Sequence, residues 1–279
     1  LHAACIFPTA GTSPIRSDHE PQPAEDDVTE TLLAPDDPPP VTIHNAGGRS
    51  PFLLLADHAG RTFPRSLGQL GISDADSRRH IAWDIGILGT SLDLAARLDA
   101  PLIAQTYSRL VIDCNRPPGV PSSIPVLSEA TEIPGNVGLT EEQKAARERE
   151  IFRPYHDRIE AVLDARAAAG MPTILVAMHS FTPVYKGESR PWHVGMLYRQ
   201  PALADPLLRL LRREPGLVVG DNEPYSVSDE TDYAVPVHGE RRGLLHTAIE
   251  IRQDLIAEPA GQEEWAERFA RLLPIATGV

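Results

Sequence analysis

Thiols are nearly missing from this chain: Cys5 and Cys114 stand far apart, and no CxxC pair occurs. Neither a disulfide framework nor a thiolate zinc site is therefore implied, and a reducing cytoplasm is the expected setting. Long apolar runs are missing too. Nothing approaches the roughly 18 residues of a membrane span, and no charged flank followed by a long apolar core marks the start, so no secretion signal is read. Basic residues are outnumbered, giving a formal net charge of −13. Nucleic acid and anionic membrane are unsuited as partners, because either is attracted by clustered Lys and Arg. An anionic small molecule would need locally placed arginines. No GxSxG elbow surrounds Ser180, which argues against a serine hydrolase, and no internal repeat is visible.

What is present suits a globular enzyme. The 279 residues, 42% of them hydrophobic, fit one large domain or two small ones with a sizeable core. Residues 1–40 are dense in proline and acid, end in APDDPPP, and follow neither helical nor strand periodicity. They are expected to be a disordered or loosely attached tail, or else an arm wrapping a partner subunit. A single α/β domain is expected over 41–279.

Two apolar runs break abruptly into histidine: PFLLLADHAG, with His58, and TILVAMHS, with His179. Each reads as a buried strand that delivers a histidine to its carboxyl end, where open α/β sheets place their sites. Two such histidines suggest a metal, although polar residues at strand ends are also common. A helix is predicted from Ser73 or Asp74 to about Leu98, carrying His80 and Asp84 on one face. Within HIAWDIGILG a carboxylate is costly unless a cation, a metal or several donors meet it. Asp84 therefore needs a partner, whether in a salt bridge, in a cap or at a metal.

Pro101 to Tyr107 and Arg109 to Asp113 read as two strand runs, leading into Asn115 and Arg116. An arginine holds a carboxylate through two parallel hydrogen bonds, and an asparagine amide adds a donor. Arg109, Asn115 and Arg116 thus suit an acidic small molecule, or a salt-bridged turn. Residues 118–138 look like a surface loop covering a site. Thr140 and Gln143 form a capping box for a helix to about Ala169, with Pro154 kinking or splitting it and His156 read as structural. Ala202 to Arg213 is predicted as a helix and 221–236 as a polar loop from which Asn222, Glu223 and Tyr225 reach a pocket or solvent. In HTAIEIRQD, period two puts His246, Ala248, Glu250 and Arg252 on one strand face. Glu250 beside Arg252 is either an ion pair or, next to a metal, a base for water. Glu263 to Leu273 predicts an amphipathic closing helix.

Taken in order, LLLADHAGRTFP, HIAWDIG, SRLVIDCNRP, MHSFTP and AIEIRQDL resemble the N-formylglutamate amidohydrolase family across about residues 51 to 256. The resemblance implies a zinc-peptidase-like α/β fold, with a mixed central sheet flanked by helices on both faces. It implies hydrolysis of an N-formyl amide to formate and an amino acid, with glutamate the usual product in histidine breakdown. The wider likeness to zinc carboxypeptidases and aspartoacylases implies one zinc ion on His58 and His179. It also implies that Arg109, Asn115 and Arg116 bind substrate carboxylate and that Glu250 is the base. Arg116 or Arg252 would then stabilise the oxyanion. One position departs from that pattern: Arg61 stands where those enzymes carry a ligating glutamate, so the third ligand is sought elsewhere, at Asp84 first and His80 second. The expected partner is a small anionic N-acyl amino acid.

Overall fold

The computed structural model describes residues 31–279. Seven strands form the central sheet: β1 (Val41–His44), β2 (Phe52–Ala56), β3 (Leu102–Gln105), β4 (Ile174–Phe181), β5 (Val194–Leu197), β6 (Val219–Asp221) and β7 (Leu245–Arg252). Their spatial order is β1-β3-β2-β4-β7-β5-β6. The strands β3, β2, β4 and β7 run parallel, while β1 joins β3 and β5 joins β7 in antiparallel pairs. A mixed sheet of this kind places its parallel strands in the middle, where both faces are covered. Side-chain alternation explains the two cores. Phe52, Leu54, Val176, Met178, Ile249 and Ile251 face helices α1 (Ile87–Leu98), α4 (Pro201–Leu211) and α5 (Pro259–Thr277). Leu53, Leu55 and Leu175 face the opposite way, toward α3 (Arg153–Ala168) and the turn before it. The expected α/β architecture, a mixed sheet with helices on both faces, is the observed one.

Local chemistry accounts for the boundaries. The Thr140 hydroxyl accepts from the Gln143 amide and the Gln143 side chain returns the bond, starting α2 (Glu141–Arg147). A π-helical turn over 148–152 then separates α2 from α3, whose first turn contains Pro154, so the long predicted helix is split as the proline requires. Gly170 ends it with a φ of 66°.

Three expectations are corrected. The helix predicted from Ser73 begins only at Ile87; residues 74–86 form turns and a short 3-10 segment. The cause is Gly86, at a φ of 80°, where a Cβ would lie 1.9 Å from the Ile256 carbonyl oxygen. Backbone packs on backbone there, and the chain is bent away from the helical path. The strand expected at Arg109 to Asp113 is instead a set of turns. Finally, the loosely attached tail expected over 1–40 lies outside the described residues up to residue 30, whereas 31–40 is bound to the domain. Leu32 is buried, the amides of Leu32 and Leu33 donate to the Glu150 carboxylate, and the Tyr107 hydroxyl donates to the Pro38 carbonyl. One buried leucine and these bonds offset the ordering cost of a segment already stiffened by proline.

Candidate metal centre

The carboxyl ends of β2, β4 and β7 open into a cavity of about 590 Å³. His58 follows β2 directly, and His179 lies near the end of β4. Residues Ala177 and Ala248 are opposite each other in the parallel ladder, and two residues further on so are His179 and Glu250. Period two therefore puts the imidazole and the carboxylate side by side on one face of the sheet. Asp84 arrives from the turn ahead of α1. Its amide donates to the His58 carbonyl at 2.9 Å, and its Oδ2 accepts from the Ser180 amide at 3.1 Å.

These side chains converge. His58 Nδ1 lies 3.6 Å from Asp84 Oδ2, and His179 Nδ1 lies 3.1 Å from the same oxygen. One ligand atom from each of His58, Asp84 and His179 can be chosen so that all lie within 4.8 Å of one another, and all three residues are buried. The other nitrogen of each ring meets a further carboxylate: His58 Nε2 is 2.7 Å from Asp113 Oδ1, and His179 Nε2 is 3.4 Å from Asp57 Oδ2. Carboxylates behind metal-binding imidazoles fix ring orientation and tautomer. Asp57 is itself held by the Tyr155 hydroxyl at 2.6 Å.

Electrostatics make the same case. Asp57, Asp84, Asp113 and Glu250 are all buried around the two rings, and Arg109 is the guanidinium bound among them. It donates to Asp113 at 2.8 Å and to Asp84 at 3.3 Å. Burial alone would raise Asp84, but the adjacent His58 and His179 rings pull it below the ordinary aspartate range. Burial likewise works against Asp113, and Arg109 with His58 overrides it to hold that carboxyl well down. For His179, burial favours the neutral ring, yet the contacts with Asp57 and Asp84 keep its proton well above the usual histidine range. Two imidazoles, a shared carboxylate and excess buried negative charge fit a divalent cation such as zinc.

Glu250 stands apart from the other acids. Its Oε2 is buried with no hydrogen-bond partner among the described residues. Desolvation, only partly countered by His179, pushes it up to about 7.

The remaining candidates divide sharply. Arg109 and Arg116 line the cavity, but Arg109 is tied to two carboxylates, whereas Arg116 donates to the Asn115 and Thr231 carbonyls. Asn115 lines it too, although its amide is committed. The side-chain oxygen accepts from the Tyr233 and Ala234 amides, and the nitrogen donates to Asp232. Arg252 does not reach the cavity, which corrects the expectation that it shares the Glu250 site. The strand ends at that residue, and its guanidinium turns sideways to Asp254 at 2.8 Å and to the carbonyls of Pro191 and Trp192. His80 lies at the cavity wall, 3.6 Å from Glu129, and is not in the histidine cluster. Arg61 stacks over Trp83 at 5.4 Å. The Ser180 hydroxyl donates to the Ile85 carbonyl, a role that explains its burial without nucleophilic chemistry. Of the polar-loop residues, Tyr225 lines the cavity. Asp57 and Asp113 escaped sequence reasoning, although each interrupts an apolar run beside a candidate residue.

A family model described as N-formylglutamate amidohydrolase matches residues 50–257. N-formylglutamate deformylase of Pseudomonas putida is 34% identical over 128 residues, a stretch that covers 42% of this chain and 46% of that protein. The solved gene product Atu2144 of Agrobacterium tumefaciens is 38% identical, with a TM-score of 0.86 and coverage of 88% of this chain and 98% of that one. The N-formylglutamate amidohydrolase of Ralstonia eutropha JMP134, 22% identical with a TM-score of 0.56 over 86% of this chain and 98% of that one, shares the fold. With its central 208 residues matched by the family model and its histidine cluster in place, the chain belongs to the N-formylglutamate amidohydrolase family.

Proposed function

We propose that the chain is a metal-dependent hydrolase that cleaves the N-formyl amide of N-formylglutamate, or of a closely similar N-acyl amino acid, to a carboxylate and the free amino acid. His58, Asp84 and His179 would hold the metal, with Asp113 and Asp57 orienting the two rings. A divalent cation bound there supplies a more acidic water and a polarised acyl oxygen. The observation that carries the reading is Glu250: a buried carboxylate with a free oxygen, in register with a ligand histidine and facing the same cavity.

Glu250 takes a proton from the attacking water and passes it to the leaving nitrogen. A carboxyl poised near neutrality suits both transfers better than an ordinary glutamate, which would be too weak a base and would hold the proton too loosely to deliver it. Arg109, anchored by Asp84 and Asp113, presents fixed positive charge beside the reacting centre for the developing oxyanion. Arg116, on the loop side, binds a substrate carboxylate. The setting proposed is the cytoplasm, consistent with the free, buried thiol of Cys114 and with the lack, among the described residues, of a helix long and apolar enough to cross a membrane.

The test is Glu250→Gln in zinc-loaded protein. Formate release from N-formylglutamate should fall by about 10²–10⁴-fold while metal stoichiometry is unchanged. Near-full activity would remove Glu250 from the mechanism. Stoichiometric zinc with no formate release by the unaltered protein would instead discard this substrate and leave the metal site standing.

A further inference from the structure

A dicarboxylic substrate brings two carboxylates, and each needs a cation that no protein acid has already neutralised. Arg109 fails that condition, since Asp84 and Asp113 both hold it. Among the described residues Arg116 makes no ion pair and satisfies it. So does a residue that sequence reasoning passed over, Arg190.

Arg190 follows the two-stranded hairpin of Val184–Tyr185 and Glu188–Ser189. It is only 9% exposed, yet no carboxylate among the described residues pairs with it. Its guanidinium lies 4.6 Å from the Tyr185 ring centre, 4.7 Å from that of Tyr225 and 6.0 Å from that of Phe181. Nη1 donates to the Tyr225 hydroxyl at 2.8 Å. Of the five donors in a guanidinium fork, the others have no acceptor among the described residues. A desolvated cation is costly without an anion, and aromatic faces meet only part of that cost. Tyr185 and Tyr225 line the cavity, and the Arg190 fork packs against both rings at its edge.

The wall itself is built rather than incidental. Glu223, two residues before Tyr225, rests on strand β5 at Gly195, where a Cβ would fall 1.8 Å from the Glu223 carbonyl oxygen. Only a glycine at that position admits the loop so closely. The loop is thereby seated beside Glu250, which pairs with Gly195 across the ladder.

We propose that Arg190 is a specificity determinant, anchoring one carboxylate of a dicarboxylic N-acyl amino acid while Arg116 anchors the other, with Tyr185 and Tyr225 forming the slot between. The assignment rests on the hydrolase reading above. It makes the diacid preferred over its side-chain amide.

The experiment compares zinc-loaded wild-type and Arg190→Gln proteins on N-formylglutamate and N-formylglutamine. It also measures Kd for both compounds by calorimetry in the Glu250→Gln background, where turnover is suppressed. The diacid should lose about 10²-fold in kcat/KM, chiefly through KM, and a similar factor in Kd, while the amide changes by less than about threefold. Zinc content should be unchanged. Arg190→Lys, which keeps the charge without the fork, should recover part of the loss on the diacid alone, and it carries the test if the glutamine variant does not fold. Equal losses on both compounds, or no loss on either, overturn the proposal and leave the hydrolase reading intact. Binding of the diacid that depends on Arg190, in a wild-type protein that releases no formate, supports the anchor and removes the hydrolase reading. Absence of both binding and turnover removes both.

Discussion

Two pairs of buried histidines, each with ring centres 5.1 Å apart, meet opposite fates in this molecule. His58 and His179 stand among Asp57, Asp84, Asp113 and Glu250. His156 and His238 stack at 20° among Phe152, Tyr155 and Tyr233, with no carboxylate bonded to either ring among the described residues. Burial disfavours the imidazolium at His179 and in the aromatic pair alike, and only in the aromatic pair does it prevail. It lowers His156 to about 4, and together with the repulsion of His156 it lowers His238 to about 3. The hydrogen bonds agree with a neutral pair. A carbonyl only accepts, so His156 Nε2 donates to the Cys114 oxygen, and its Nδ1 accepts from His238 Nε2. Burial decides that a histidine is structural or functional only after the neighbouring charges are counted.

That contrast is broken most severely at the ligands. His179→Ala should lose stoichiometric zinc and lower formate release by more than about 10³-fold, since the water-activating ion goes with it; metal analysis beside turnover checks this. His238→Ala should do the reverse. It leaves zinc stoichiometry intact and lowers unfolding free energy by about 2–4 kcal/mol, through a cavity and an unpaired His156, as read by denaturant titration. If the His238 variant loses metal, the two pairs are not independent. A gentler perturbation is Asp113→Asn, which keeps the shape behind His58 but removes the charge; zinc affinity should weaken by about 10–100-fold in a competition assay.

The most gradual effect is the pH dependence of the aromatic pair. Both folded values lie below the ordinary 6.5, so as acid is added the unfolded chain takes up protons before the folded one. The stability these rings contribute is complete above about pH 6.5 and is lost as pH falls toward 4 and then 3. The slope is about 1.4 kcal/mol per pH unit for each ring titrating in the unfolded chain alone. Unfolding midpoints measured from pH 7 to 4 should therefore decline less steeply in a His156→Phe, His238→Phe double variant than in wild type. Parallel declines would mean that these rings titrate normally.

Much of the site was legible because it sits on the most regular part of the chain. His58 and His179 are at the ends of uninterrupted apolar runs, and Glu250 follows from strict alternation in HTAIEIRQD. Asp84 was found by cost rather than by pattern: a carboxylate in an apolar stretch demands a cation, whatever the backbone does. The backbone in fact does something else, because Gly86 faces a distant carbonyl that no local rule anticipates. Asp113 and Arg190 were missed for a related reason. Each acquires its meaning from a partner on another segment, His58 for the first and Tyr225 for the second. Arg252 misled because period two holds only while the strand lasts.

The pairing of Glu250 with His179 across one parallel ladder has an evolutionary corollary. The gap between the proposed proton carrier and the proposed ligand is set by the spacing of neighbouring strands, about 4.8 Å, which loop exchange leaves alone. The substrate contacts proposed above, by contrast, lie on the hairpins and turns around residues 116, 185, 190 and 225. Relatives on this scaffold are thus free to trade those loops and change what they accept without rebuilding the reaction, and a designer grafting new loops onto it inherits the same freedom.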